Sequence, residues 1–198
     1  MKNILLLAVA TVSFVACNNS ESKSHDAHTP ADTTSVAATN NAVKPSFANV
    51  DPAVAASFKS VIDHYLHLKN GLAGDNATEA ADAGKAMVAA LAAVDKNAMT
   101  PEQKTLYTEN EEDLREHAEH IGKNAGDIAH QREHFAQMSE DVYALVQGFG
   151  GGQPLYHDFC SMYNNDKGGM WLSETADIKN PYFGSKMPTC GTVKEVIQ

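Results

Sequence analysis

Basic side chains are scarce in this sequence. Its 198 residues hold 15 Lys and Arg against 25 Asp and Glu, a formal net charge of −10. Phosphate contacts need clustered cations, and the lack of any such cluster excludes a nucleic-acid partner. No apolar run reaches the length of a spanning helix, which argues against an integral helical membrane protein. Enzyme signatures are missing as well. There is no Cys-x-x-Cys-His for haem c, no pair of Glu-x-x-His motifs for a di-iron bundle, no His-Glu-x-x-His and no Gly-x-Ser-x-Gly. The glycine run from Gly148 to Gly152 lacks the Lys of a phosphate loop, and Asp158 and Asp177 have no nucleophile beside them, so an enzyme is not expected. What is present is enough apolar residue, 43%, for a real core. Seven Met, nine His and three Cys add ligands for soft or borderline metals.

Met1-Lys2-Asn3 and the apolar stretch Ile4 to Ala16 have the form of a secretory signal peptide, so residues 1–16 stand outside the fold. Val15-Ala16-Cys17 resembles the bacterial lipobox, with Phe14 where Leu is more usual. That resemblance implies cleavage before Cys17 and lipid on its thiol and amine. Several acyl chains hold a protein stably on a membrane, which makes the expected location the periplasmic face of a bacterial membrane, the outer one first. Residues 17–50, rich in Ser, Thr, Asn, Asp and Ala, read as a disordered tether. His25 and His28 lie in it, and two imidazoles on a mobile chain make no defined metal site.

Residues 51–150 carry four helical stripes. Asp51-Pro52 is a helix start, followed by Val54, Phe58, Val61, Tyr65, Leu68 and Leu72 at helical spacing. The second stripe, Ala80, Ala81, Gly84, Met87, Val88 and Leu91, is built of small residues that admit a close neighbour. Thr100-Pro101-Glu102-Gln103 is a capping box ahead of Tyr107, Leu114, Ala118 and Ile121. Asp127 opens a last helix with Ile128, Phe135, Val142, Val146 and Phe149. Short loops make such helices antiparallel neighbours, and the expected fold is all-α: an up-down-up-down four-helix bundle. On this wheel His64 and His67 face water, while His117 and His134 sit on the shoulders of their stripes. His120 and His130 lie further round. The third and fourth helices can bring His117 and His134 together, but the expectation is solvated rings or pairs with Glu116, Glu119 and Glu133.

Residues 151–198 lose all sustained period and read as an irregular cap packed on the bundle. Here lie Cys160-Ser161-Met162 and Met187-Pro188-Thr189-Cys190, each a thiol with a thioether close by. Together these make a sulfur-only set of up to four ligands, and soft donors favour Cu(I) or Ag(I) over Zn(II). His157 and Met170 are reserve ligands.

The residues Gln131-Arg132-Glu133-His134-Phe135 with Ser139, Phe159-Cys160-Ser161-Met162, Gly168-Gly169-Met170-Trp171-Leu172-Ser173, Ile178-Lys179-Asn180-Pro181-Tyr182-Phe183-Gly184 and Met187-Pro188-Thr189-Cys190-Gly191 carry a family likeness. From about Val50 to Gln198 the chain resembles a domain of unknown function found at the end of periplasmic adaptor subunits of copper/silver efflux pumps and in free-standing lipoproteins. Ser161 departs from the Pro usual after the first cysteine of that family, which keeps the ligands and loosens the loop. The resemblance implies a setting in heavy-metal efflux, with an efflux adaptor as partner, and no demonstrated activity.

The same residues admit a plainer reading. With Cys17 lipidated, Cys160 and Cys190 are an even pair, and in an oxidising compartment such a pair is normally a disulfide. It would close a loop of about 31 residues and stabilise the cap by roughly 3 kcal/mol. Met162 and Met187 would then be packing residues, as Trp171, Tyr182 and Phe183 are expected to be. Thiolate ligands, disulfide and free thiols all remain open at this point, and with them two functions: a soft-metal accessory, or a disulfide-tied interaction module of the envelope.

Overall fold

The structure, a computed structural model, describes residues 42–198. The expected signal peptide (residues 1–16), Cys17, His25 and His28 lie outside the described residues, as does most of the expected tether.

The end of that tether is ordered. Ala42–Val43 form a short strand, β1. Beyond it, the N–H groups of Ser46 and Phe47 donate to the carbonyls of Gln147 and Gly148 (2.9 and 3.0 Å), and Phe47 meets the ring of Phe149 edge-on at 5.1 Å.

Four long helices follow. α1 spans Pro52–Ala73, with the Asp51 carboxylate accepting from the N–H of Ala53 and Pro52 in the first turn, as the sequence predicts. α2 spans Ala77–Ala92 and is capped by Asn76. α3 spans Pro101–Lys123 behind the Thr100/Gln103 capping box, both halves of which form. α4 spans Ile128–Phe149, capped by Asp127 and ended by Gly150 at φ 78°. Each helix packs mainly against its sequence neighbour. The small residues set how closely. A Cβ on Gly84 would lie 2.9 Å from the carbonyl oxygen of Ala118, and one on Gly71 would lie 2.9 Å from the backbone nitrogen of Ala80. No helix among the described residues is long and apolar enough to cross a membrane.

The fold is mostly helical and its C-terminal cap is irregular, but it is not all-α, because the cap holds strands. The cap contains β2 (Leu155–Cys160), β3 (Gly169–Ser173) and β4 (Thr192–Ile197), which with β1 make a four-stranded sheet in the order β1-β4-β2-β3. β2 is antiparallel to both neighbours, and β1 runs parallel to β4. Strands this short carry too few alternations to announce themselves in a sequence. β3 is buried at Trp171, Leu172 and Ser173 and packs on α4 and α1. Trp171, Leu155, Leu172 and Ile197 join the helical residues Tyr65, Leu68, Phe135 and Val146 in one core.

Candidate functional site

The sheet register decides where the cysteines go. Cys160 ends β2, where Phe159 pairs with Thr192 of β4, so the segment just before Thr192 returns alongside Cys160. Cys160 and Cys190 are joined by a disulfide with Cα atoms 5.7 Å apart, across 30 residues of sequence. Cys160 is buried and Cys190 half-buried. Gly191 lets Trp171 close over this crossing, since a Cβ there would lie 2.8 Å from the indole.

The other proposed ligands separate. Met162 is half exposed and lines a shallow groove with Phe159, Cys190 and Lys194. Met187 stands in the turn that ends at Cys190, its carbonyl accepting from the Cys190 N–H (3.2 Å). Met170 lines a different cleft, beside Glu133, Gln137 and Tyr163. His157 is occupied by Glu195 (3.3 Å) and by the ring of Tyr143, with centroids 4.4 Å apart. Burial pushes His157 down, against the opposing pull of Glu195. The structure therefore brings Cys160, Cys190 and Met162 to one place, while Met187, His157 and Met170 do not line that groove. Lys194, whose Nζ lies 5.2 Å from the Phe159 centroid, puts a positive charge at the groove rim.

The residues that carry the family likeness mostly build the scaffold behind this groove. The buried side chain of Asn180 donates to the carbonyl of Cys190 (2.6 Å) and accepts from the N–H groups of Tyr182 and Phe183 (2.8 and 2.9 Å), tying the Asn-Pro-Tyr-Phe-Gly turn to the cysteine segment. Tyr182 stacks on Tyr163 at 4.0 Å, meets Trp171 edge-on, and donates to the carbonyl of Met170. Arg132 donates to the carbonyls of Pro181 (2.7 Å) and Leu72 (2.8 Å) and pairs with Asp75 (2.6 Å). Gly184, at φ 54°, lies against that ion pair: a Cβ would fall 2.6 Å from the guanidinium. Ser139 hydrogen-bonds Tyr65 (2.9 Å), whose oxygen accepts from the N–H of Leu172 (3.0 Å), linking α4, α1 and β3.

A buried charged cluster under the sheet escapes the sequence reading. Lys69, fully buried, donates to Glu174 (2.7 Å) and Ser173 (3.3 Å). Burial pushes the Lys69 ammonium down, opposed by Glu174. Burial also works to raise Glu174, but hydrogen bonds from Lys69 and Asn70 outweigh it and leave this carboxyl below its ordinary range. Asp158 is buried, and neither of its oxygens has a hydrogen-bond partner among the described residues. Its cross-strand neighbour Trp171 has an indole N–H that likewise falls short of hydrogen-bond geometry. Burial raises Asp158 to about 7, against the opposing pull of Lys69. The signal in sequence was Lys69 itself, four residues after Tyr65 on the apolar stripe. Asp177 is exposed.

The histidines of α3 and α4 meet. Nδ1 of His117 lies 3.1 Å from Nδ1 of His134. His134 also stacks on His120 at 4.4 Å and meets His130 edge-on at 4.6 Å. The expected glutamate pairs do not form at His117 and His134, which meet each other instead. The long contacts that do form fall on their neighbours, His120–Glu116 and His130–Glu133 both at 3.8 Å, and Glu119 pairs with Arg115 and Lys123. Burial, and then its neighbours His120, His130 and His117, hold His134 down at about 4; burial also lowers His117. His67, exposed, pairs instead with Glu79 (3.1 Å), and His64 is half-buried.

No curated protein and no solved structure matches the chain. One family model does, described as a protein of unknown function (DUF3347), over residues 61–153. That match runs from within α1 to just past the end of α4 and stops short of the cysteine segment. The likeness to this family of unknown function is thus shown for residues 61–153.

Proposed function

We propose that this chain is a soft-metal accessory protein of the bacterial envelope that takes up Cu(I) or Ag(I) at Cys160 and Cys190 when their disulfide is reduced. Met162 and Met187 supply thioether donors, completing the sulfur set. In this reading the four long helices serve as an up-down-up-down bundle that carries the sulfur-bearing cap. Lipid on Cys17 holds the protein at the periplasmic face of the membrane, within reach of an efflux adaptor. Opening the site takes two electrons and two protons from an envelope dithiol, which leaves as its own disulfide. The two thiols formed then lose their protons as they bind the ion. Soft sulfur donors with no imidazole among them are the set that selects a monovalent coinage metal.

The observation that carries this reading is the meeting of Cys160 and Cys190, with Cα atoms 5.7 Å apart, beside the half-exposed thioether of Met162. Reduced protein titrated with Cu(I) against a competing chelator tests it. The expected result is one tightly held ion per chain, lost in a Cys160→Ser, Cys190→Ser double variant; unchanged affinity in that variant removes the proposal.

A second reading rests on the disulfide itself. A cap that is permanently cross-linked and anchored by Arg132 and Asn180 suits an interaction module that docks on another envelope protein without handling metal. Thiol counting on denatured protein taken from the envelope discriminates. A disulfide that stays closed in cells supports the module, and a reducible fraction with two reactive thiols supports the metal accessory.

A further inference from the structure

We propose that His120, His130 and His134 form a second, chemically distinct metal site, for a divalent ion of the zinc class, at the hairpin end of α3 and α4. One ring nitrogen from each of the three lies within 4.8 Å of the others. Around a tetrahedral ion with bonds of about 2.0–2.1 Å, ligand nitrogens stand about 3.3 Å apart. The closing movement is therefore about 1.5 Å or less per pair. It falls on partly exposed side chains, since His120 and His130 are 44% and 36% accessible.

The backbone beneath is already fixed. The loop between the two helices is short, and Asn124 bonds back to the carbonyl of His120 (2.7 Å). Gln131, next to His130 and fully buried, donates across to the carbonyl of Ile121 (3.2 Å) and to that of Ala77 (2.9 Å). These bonds hold the last turn of α3 against the first turn of α4. The hydrogen bond between His117 and His134 in turn limits rotation of the His134 ring.

The donor set defines the ion. Imidazoles with no thiol or thioether suit borderline divalent metals and not Cu(I) or Ag(I). Glu116 and Glu133, each 3.8 Å from a cluster histidine, supply negative charge that offsets a dication. Three protein ligands leave the fourth position of a tetrahedral ion to water or to one of these carboxylates.

This site does not depend on the cysteines, and its test keeps the two apart. The parent protein is the full chain with its disulfide intact and with His25→Gln and His28→Gln, which removes the tether imidazoles. It is titrated with Zn(II) against a chromophoric chelator, and its melting temperature is recorded with and without Zn(II). One ion per chain and a raised melting temperature are expected. His130→Gln and His134→Gln should each weaken binding at least about tenfold. His64→Gln, and separately Cys160→Ser with Cys190→Ser, should change it less than about twofold. Melting of the metal-free variants shows that they are folded. A parent that binds no Zn(II), a His130→Gln variant that binds as the parent does, or loss of Zn(II) on replacing the cysteines alone overturns the site. The four rings would then be only a stacked patch of imidazoles.

Discussion

The guanidinium of Arg132 pairs with the carboxylate of Asp75 at 2.6 Å, and through that contact the fourth helix grips both the α1–α2 turn and the loop that leads to Cys190. The same carboxylate accepts from the N–H of Ser185 (2.9 Å), so one small polar junction joins three separate stretches of chain.

Removing this junction should loosen the cap. Arg132→Ala abandons two carbonyls and a carboxylate at a site where the arginine is only 13% exposed. A loss of about 2–4 kcal/mol is expected in urea unfolding. The hydrogen bond from Ser185, then Arg132, holds the Asp75 carboxyl well below the usual range. A lowered carboxylate adds stability that is present above its unfolded pKa and lost as pH falls. The advantage of the wild type over Asp75→Asn should therefore be full near neutrality and fade in acid.

Asn180→Ala leaves the Cys190 carbonyl and the N–H groups of Tyr182 and Phe183 without partners in a buried turn. The expected cost is about 2–3 kcal/mol. A more specific consequence is faster reduction of the Cys160–Cys190 disulfide by a dithiol, read by thiol trapping over time.

Asp158 gives a pH signature of opposite sign. Its folded pKa is raised from 3.8 to about 7, so between these values the native state holds a proton that the unfolded chain has released. Stability from this group falls as pH rises through that window and levels off above it. Asp158→Asn, which mimics the protonated acid, should stabilise the protein at pH 8 by about 1–4 kcal/mol and change little at pH 4. Thermal melts of both proteins across this range provide the check.

Gly84→Ala tests the helical scaffold. The added methyl meets the Ala118 carbonyl at 2.9 Å and the Ile121 side chain at 3.3 Å, so α2 and α3 must part. The overpacking should cost about 1–3 kcal/mol in unfolding free energy.

The helices were legible because their signals are local. Asp51-Pro52, the Thr100/Gln103 box and Asp127 cap the helices as their chemistry predicts. The sheet was not, because β1 pairs with a strand more than 150 residues away and β2 places Asp158 at a core position where an apolar residue would mark a strand. The histidine wheel placed His117 and His134 on the shoulders of their stripes, and there they stand. Their meeting depends on how far α3 and α4 are rotated. Contacts made elsewhere set that rotation, such as Gly84 against Ala118 and Gly122 against Lys85. The approach of Cys160 to Cys190 likewise needs the β2–β4 register, which no single segment encodes. The family motifs were legible as motifs but not as scaffold: nothing in Gln-Arg-Glu-His-Phe announces that its arginine reaches Pro181.

The most direct measurement divides one preparation into oxidised and reduced halves and titrates both with Cu(I) against the same chelator. The reduced half should retain one ion per chain and the oxidised half none. Equal uptake by both halves, or no uptake by the reduced one, contradicts a metal site made from Cys160 and Cys190.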